Sequence, residues 1–208
     1  MLRWLTRAVL ALVAILLPAT WLHAAFPTPG EPSARGSLAG QLLIASPRMG
    51  DPRFDHTVIL IVQHSQDGAL GLVINRPLGE RPVADVLAIL GEKDRSVAGT
   101  VRVFTGGPVQ PEMGFVVHSA DYRRAETVDV DGRVAVTSTA EILRDIGHNR
   151  GPKKNLVAFG YAGWGKGQLE NELESGAWFV APEDPELVFE EDRGKLWERA
   201  MARRTRDL

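Results

Sequence analysis

TVILIVQHSQDGALGLVINR, residues 57–76, sets two apolar, β-branched runs, 57–64 and 69–76, on either side of Ser65-Gln66-Asp67-Gly68. So short a link reads as a hairpin, with Asp67-Gly68 supplying residues that tolerate positive φ. The pattern continues on both sides. QLLIAS (41–46) reads as a strand closed by the turn Gly50-Asp51-Pro52. VRVFTGG (101–107) and GFVVHSA (114–120) read as two more, joined through Gly-Gly-Pro and Pro111, followed by RVAVTST (133–139), NLVAFGY (155–161) and AWFVAP (177–182).

Helical spacing is confined to short stretches between these runs. Pro82 opens one that carries Val83, Val86, Leu87 and Leu90 and stops at Gly91. Residues 140–149 bury Ile142, Leu143 and Ile146 behind Thr139 as a cap, and 167–175 form a third. The ending, residues 186–204, closes with a mixed-charge helix that carries Leu196, Trp197 and Met201 on its inner side. Strands outnumber helices and short turns join them, so the fold class is α+β, with a mixed, mainly antiparallel sheet rather than a doubly wound parallel one.

The chain has 208 residues, 44% hydrophobic and 24% charged, which suits one globular domain with a substantial core. Formal net charge is -2, and beyond residue 25 there are 22 basic residues (24 less Arg3 and Arg7) against 26 acidic ones. That balance disfavours direct nucleic-acid binding through phosphates. The absence of cysteine excludes disulfides and thiol catalysis. At the N-terminus, MLRWLTR precedes the apolar run AVLALVAILL, and the apolar zone ends at Leu22 after fifteen residues. This is short for a bilayer span and has the shape of a secretory signal. Residues 1–25 are therefore expected to be a signal peptide or N-terminal membrane segment, with any cut near Leu22-His23-Ala24-Ala25. Contact with a membrane is expected only through that segment if it is left uncleaved. FPTPGEPSARGS (26–37) follows as a Pro/Gly/Ser-rich linker, and 38–208 as a single domain.

Three long segments, LLIASPRMGDPRFDHTVILIVQHSQDGALGLVINRP, FTGGPVQPEMGFVVHS and FGYAGWGKGQLENELESGAWFVAP, stand in this order between about Leu38 and Phe189. Together they resemble the YqgE/AlgH family of bacterial proteins. The resemblance implies a bifurcated, partly barrel-like sheet surrounded by helices. It brings a transcriptional-regulator label but no catalytic residues, metal or cofactor. This chain departs from the family in its signal-like extension and in Lys166, where the family typically has proline between two glycines.

Four patterns are candidates for chemistry. Gly160-Tyr161-Ala162-Gly163-Trp164-Gly165-Lys166-Gly167 has the glycine and lysine spacing of a phosphate loop, but glycine stands where a hydroxyl should hold Mg²⁺. A glycine-rich turn accounts for it as well. Glu170 and Glu174 stand four apart, which is the geometry of a solvated helix face as much as of a carboxylate pair. His56, His64, His118 and His148 are scattered singly, so no metal site is expected, and His64-Ser65 and His118-Ser119 lack a nucleophile elbow. Strand exits at Asn75-Arg76 and Thr105-Gly106-Gly107, if they meet Tyr161, Trp164 and Gln168, would make an aromatic pocket with few polar anchors, Arg76 serving an anion. These eight residues are the candidate ligand contacts. The functional expectation is an exported, non-enzymatic binding or regulatory module acting on a protein or small ligand, without a cofactor. The alternatives are a nucleotide- or anion-binding enzyme built on Gly160 to Gly167, or a cytoplasmic DNA-binding regulator.

Overall fold

The computed structural model describes residues 36–190 and 192–205; the expected signal segment and most of the linker lie outside them. In β1 (Gln41–Ala45) and β2 (Val58–Ser65), Leu42, Ile44, Val58, Leu60 and Val62 face one buried cluster, while Leu43, Ala45, Ile59 and Ile61 face another. Strands buried on both faces read as continuous apolar runs, which is why the hairpin is so plain in the sequence. β2 turns into β3 (Gly68–Val73) with Ser65 opposite Gly68. β10 (Trp178–Pro182) flanks β1 on its other side.

The remaining strands are β4 (Pro77–Pro82), β5 (Thr100–Thr105), β6 (Val109–Ser119), β7 (Val128–Asp129), β8 (Val134–Thr137) and β9 (Asn155–Gly165). Along the sheet the order is β10-β1-β2-β3-β9-β6-β8-β7, with β4 and β5 branching from β9. The result is a curled, mainly antiparallel half-barrel of the α+β class. The branch point is β9. Its first half pairs in parallel with β5 at Val157 to Phe159, and its second half pairs antiparallel with β3 at Ala162 to Gly165.

A bulge makes that change of partner feasible. On the β6 side the register jumps from Val109 opposite Tyr161 to Gly114 opposite Phe159, leaving 110–113 opposite Gly160 alone. Gly160 has φ +73. The extra residue flips the side-chain alternation: Leu156 and Ala158 face the inner core, as Tyr161 does, while Ala162 and Trp164 turn outward. The segment after β5 fills the fork, Gly106 donating to Phe159 O at 2.7 Å and accepting from Val73 N at 2.8 Å.

Helices cover the sheet in three places. α1 (Val83–Ile89) and α2 (Ala140–Gly147) bury Val83, Val86, Leu87, Ile142 and Leu143 against β5, β6 and β9. α3 (Gln168–Glu174) sets Leu169 on the outer face of β1, β2 and β10. α4 (Pro185–Val188) and α5 (Leu196–Ala202) cap the inner core with Leu187, Val188, Leu196 and Ala200. The closing helix read at the end of 186–204 is α5, and α4 and a 3₁₀ turn at Arg193–Lys195 precede it. Trp197 and Met201 do pack on the core as expected, and the Trp197 indole donates to Ala45 O at 2.8 Å. Thr139 is the N-cap of α2 by position, but its hydroxyl makes no cap hydrogen bond. Two strands escape the sequence reading: β4 is exposed at every residue and has no apolar alternation, and β7 is two residues long.

Candidate functional site

β9 runs outward past the bulge, turns at Lys166 and Gly167, and enters α3, which returns the chain to β10. These three elements and the loop after β1 enclose a cleft of about 350 Å³. Its walls are Phe54, Trp164 and Trp178, with Ala162, Gly163, Pro108 and Val109 beside them. Trp178 is the hub: its ring stands edge-on to Phe54 at 5.6 Å and to Trp164 at 6.0 Å.

Glu172 holds this aromatic wall. Its Oε2 accepts the indole N–H of Trp164 at 2.9 Å and that of Trp178 at 2.7 Å, and its Oε1 accepts from Gln168 Nε2 at 2.9 Å. Gln168 Oε1 in turn accepts from Gly165 N at 3.1 Å, so one chain of bonds ties α3 to the end of β9. Nothing in the spacing of 167–175 singles out Glu172. The available signal was the pair of tryptophans flanking a short helix, because indole N–H groups in a core need an acceptor. At the mouth, Arg53 lies along Asp51, with Nη2 to Oδ2 at 2.6 Å, and hydrogen bonds from Arg53 hold the Asp51 carboxyl below its usual range.

The eight candidate contacts fall into three groups. Trp164 and Gln168 line the cleft. Gly106 and Gly107 serve the fork, since a Cβ on Gly107 would stand 2.1 Å from the Tyr161 carbonyl carbon and one on Gly106 2.3 Å from Gly160 O. Tyr161 packs inward, edge-on to Phe115 at 6.2 Å, and Thr105 donates its N–H to Arg76 O. Asn75 and Arg76 bind the backbone ahead of β2: Asn75 Oδ1 accepts from Val58 N, its Nδ2 donates to His56 O, and Arg76 donates to Asp55 O. Thr105, Tyr161, Asn75 and Arg76 are not among the cleft-lining residues. The sequence therefore places two of the eight at the cleft and omits Phe54, Glu172 and Trp178.

A family profile described as AlgH-like matches residues 42–208. The chain belongs to the AlgH-like family. Among its relatives, a UPF0301 protein of Rhodospirillum rubrum is 44% identical over 168 residues, covering 81% of this chain and 88% of that protein. One of Methylococcus capsulatus is 45% identical over 165 residues, covering 78% and 87%. The solution structure of the AlgH protein from Pseudomonas aeruginosa superimposes with a TM-score of 0.70 at 38% identity, covering 83% of this chain and 92% of that one. The crystal structure of protein DIP2367 from Corynebacterium diphtheriae gives a TM-score of 0.61 at 25% identity, covering 89% and 93%.

In this AlgH-like fold the phosphate-loop reading of Gly160 to Gly167 is corrected by the backbone. Residues 160 to 165 are strand, paired with β3 and β6, so no loop is left to wrap a phosphate. Gly160 is needed at the bulge, where a Cβ would meet Gly107 O at 2.4 Å, and Gly167 makes the tight turn at φ +71. The carboxylate pair also separates: Glu170 Oε1 binds His64 Nε2 at 2.7 Å. Because the Leu38 N–H donates to His64 Nδ1 at 2.9 Å, the ring proton sits on Nε2 and is given to Glu170. His118 is enclosed, its Nδ1 bonded to Ser119 O and its Nε2 to the Thr137 hydroxyl, each at 2.9 Å. The Ser119 hydroxyl turns to Asp121 instead. Neither His-Ser neighbour pair forms a nucleophile and base, and no group of three metal-ligating side chains occurs among the described residues.

Proposed function

We propose that this chain is a non-enzymatic binding module, regulatory in role, whose cleft takes a small ligand or protein segment with a planar, apolar face. The observation that supports it is the use of Glu172. A carboxylate that accepts two indole N–H groups and an amide is committed to holding the walls, and aromatic walls with a few polar anchors are the usual make-up of a binding pocket. The Arg53–Asp51 pair at the mouth supplies the polar anchors. Trp164 and Trp178 report occupancy directly. Titrating the full chain with a panel of metabolites and short peptides is expected to give a saturable change in tryptophan emission, weakened in Arg53→Ala, with the ligand recovered chemically unchanged. A reaction product whose formation depends on Asp51 or Glu172 would instead make the cleft an active site.

The same reading places the module outside the cytoplasm, carried there by residues 1–25 and spaced from that segment by 26–37. Cell fractionation with mass measurement of the mature N-terminus is expected to find a periplasmic product beginning near Ala25, or the uncut chain at the inner membrane. An uncut cytoplasmic chain would remove export from the proposal and reopen direct control at DNA.

A further inference from the structure

Arg193 opens the 3₁₀ turn before α5 and is only 8% exposed. Its Nη1 donates to Val188 O at 2.9 Å, whereas its Nε and Nη2 have no hydrogen-bond partner among the described residues. Those two nitrogens form the edge of a guanidinium that grips both oxygens of a carboxylate or phosphate group. The ring of Phe104 lies beneath, 5.1 Å from Cζ, which sets the plane of the fork and shields one face from water. Arg102 stands two residues from Phe104, on the same face of β5.

Both arginines bring positive charge to one place. Burial, and then the charge of Arg102, lower the Arg193 pKa to about 10, so the cation persists at neutral pH. The acidic neighbours at 190 and 192 are engaged elsewhere, Asp192 with Lys195 at 3.5 Å and Glu190 with Arg199. Glu80, the register partner of Arg102 on β4, is exposed. A buried charge without a counter-charge is costly to keep, and three of this guanidinium's five N–H donors meet no acceptor among the described residues.

We propose that Arg193 and Arg102 form an anion site for a ligand that presents two oxygens of one carboxylate or phosphate group, received by Arg193 Nε and Nη2. None of the residues lining the cleft takes part in it. The test uses the full chain in thermal unfolding, with inorganic phosphate or acetate compared against sodium chloride at equal ionic strength. The Arg193 Nε–H resonance, identified by its loss in Arg193→Lys, is followed in parallel. One of the two anions is expected to raise Tm beyond chloride and to shift that resonance, and the anion with the larger effect names the group bound. Arg193→Met is expected to lose the response while matching or exceeding the wild-type Tm in anion-free buffer, since it removes an uncompensated charge. Arg102→Gln, at a half-buried position, is expected to weaken binding by about tenfold. Responses no larger than chloride's, or a response that survives Arg193→Met, would overturn the proposal. So would an Arg193→Met chain far less stable than wild type without anion, which would show that the charge is already compensated.

Discussion

Glu172 shows how much one carboxylate can determine. In Glu172→Gln the side chain keeps one oxygen for the two indole N–H groups, but its new amide N–H₂ faces Gln168 Nε2, donor against donor. Turning Gln168 around relieves that clash only by giving up the bond to Gly165 N. The substitution is therefore expected to cost about 1–3 kcal/mol in urea unfolding, with an unchanged m-value and a shifted tryptophan emission. Apolar spacing and charge spacing could not reveal this residue. The i, i+4 rule drew attention to Glu170 and Glu174, while the two indole partners of Glu172 lie on two strands that only the folded chain brings together. The histidines present the opposite case. Their neighbours in sequence showed no nucleophile arrangement, and in the fold His64 and His118 bind backbone and side-chain groups of the chain itself.

At the scale of elements, β9 decides where the cleft can be. The bulge at Gly160 turns Trp164 outward, and the fork requires two backbones to pass within contact distance at Gly107 and Tyr161. A Cβ added at Gly107 runs into the Tyr161–Ala162 peptide group, at 2.1, 2.3 and 2.4 Å, so Gly107→Ala is expected to destabilise by more than ~3 kcal/mol or to prevent folding. Gly163→Ala meets only the Tyr161 ring, at 3.2 Å, and is expected to stay within ~1 kcal/mol of wild type. Chemical denaturation of the two variants side by side checks the contrast, and equal losses would remove the fork as the reason for Gly107. Strands buried on both faces, such as β2 and β9, were legible because both sets of alternating residues must be apolar. β4 was not, because its strand character comes from pairing with β5 while its own residues, including Pro77, Gly79 and Pro82, remain in solvent. The glycine stretch from 160 to 167 looked like a loop for a similar reason: a bulge and a close backbone approach need the same residue that a turn needs.

For the whole molecule, the open question is what keeps a curled sheet from uncurling at its two ends, β10 and the β7–β8 hairpin. Glu183, just past β10, has a fully enclosed side chain that meets Asp131 in the hairpin turn, and Arg133 reaches both, at 2.7 Å from Glu183 Oε2 and 3.0 Å from Asp131 Oδ2. Arg133 also donates to Glu183 O at 2.9 Å, so the two edges are fastened by side chain and main chain together. Burial, and then the Asp131 carboxylate beside it, push the Glu183 pKa up to about 8, with Arg133 pulling the other way. Against the upward push of burial, hydrogen bonds from Glu183 and from the N–H groups of Val134 and Arg133 hold Asp131 below its ordinary range. With its pKa raised to about 8, Glu183 enters the clasp as a neutral acid beside the Asp131 carboxylate, with Arg133 against both. The unfolded carboxyl of Glu183 ionises near 4.5 and the folded one near 8, so between these values the unfolded chain binds fewer protons. Glu183's own contribution is complete below about pH 4.5 and is lost as pH rises toward 8, with a slope of at most ~1.4 kcal/mol per pH unit, whereas the contribution of the Asp131 carboxylate is lost in acid. Glu183→Gln keeps an N–H donor for Asp131 and cannot ionise. Urea unfolding at pH 5 and pH 8.5 is expected to find the variant close to wild type at the lower value and more stable at the higher one. If the two proteins lose stability in parallel across that range, Glu183 is not the group whose ionisation opens the clasp.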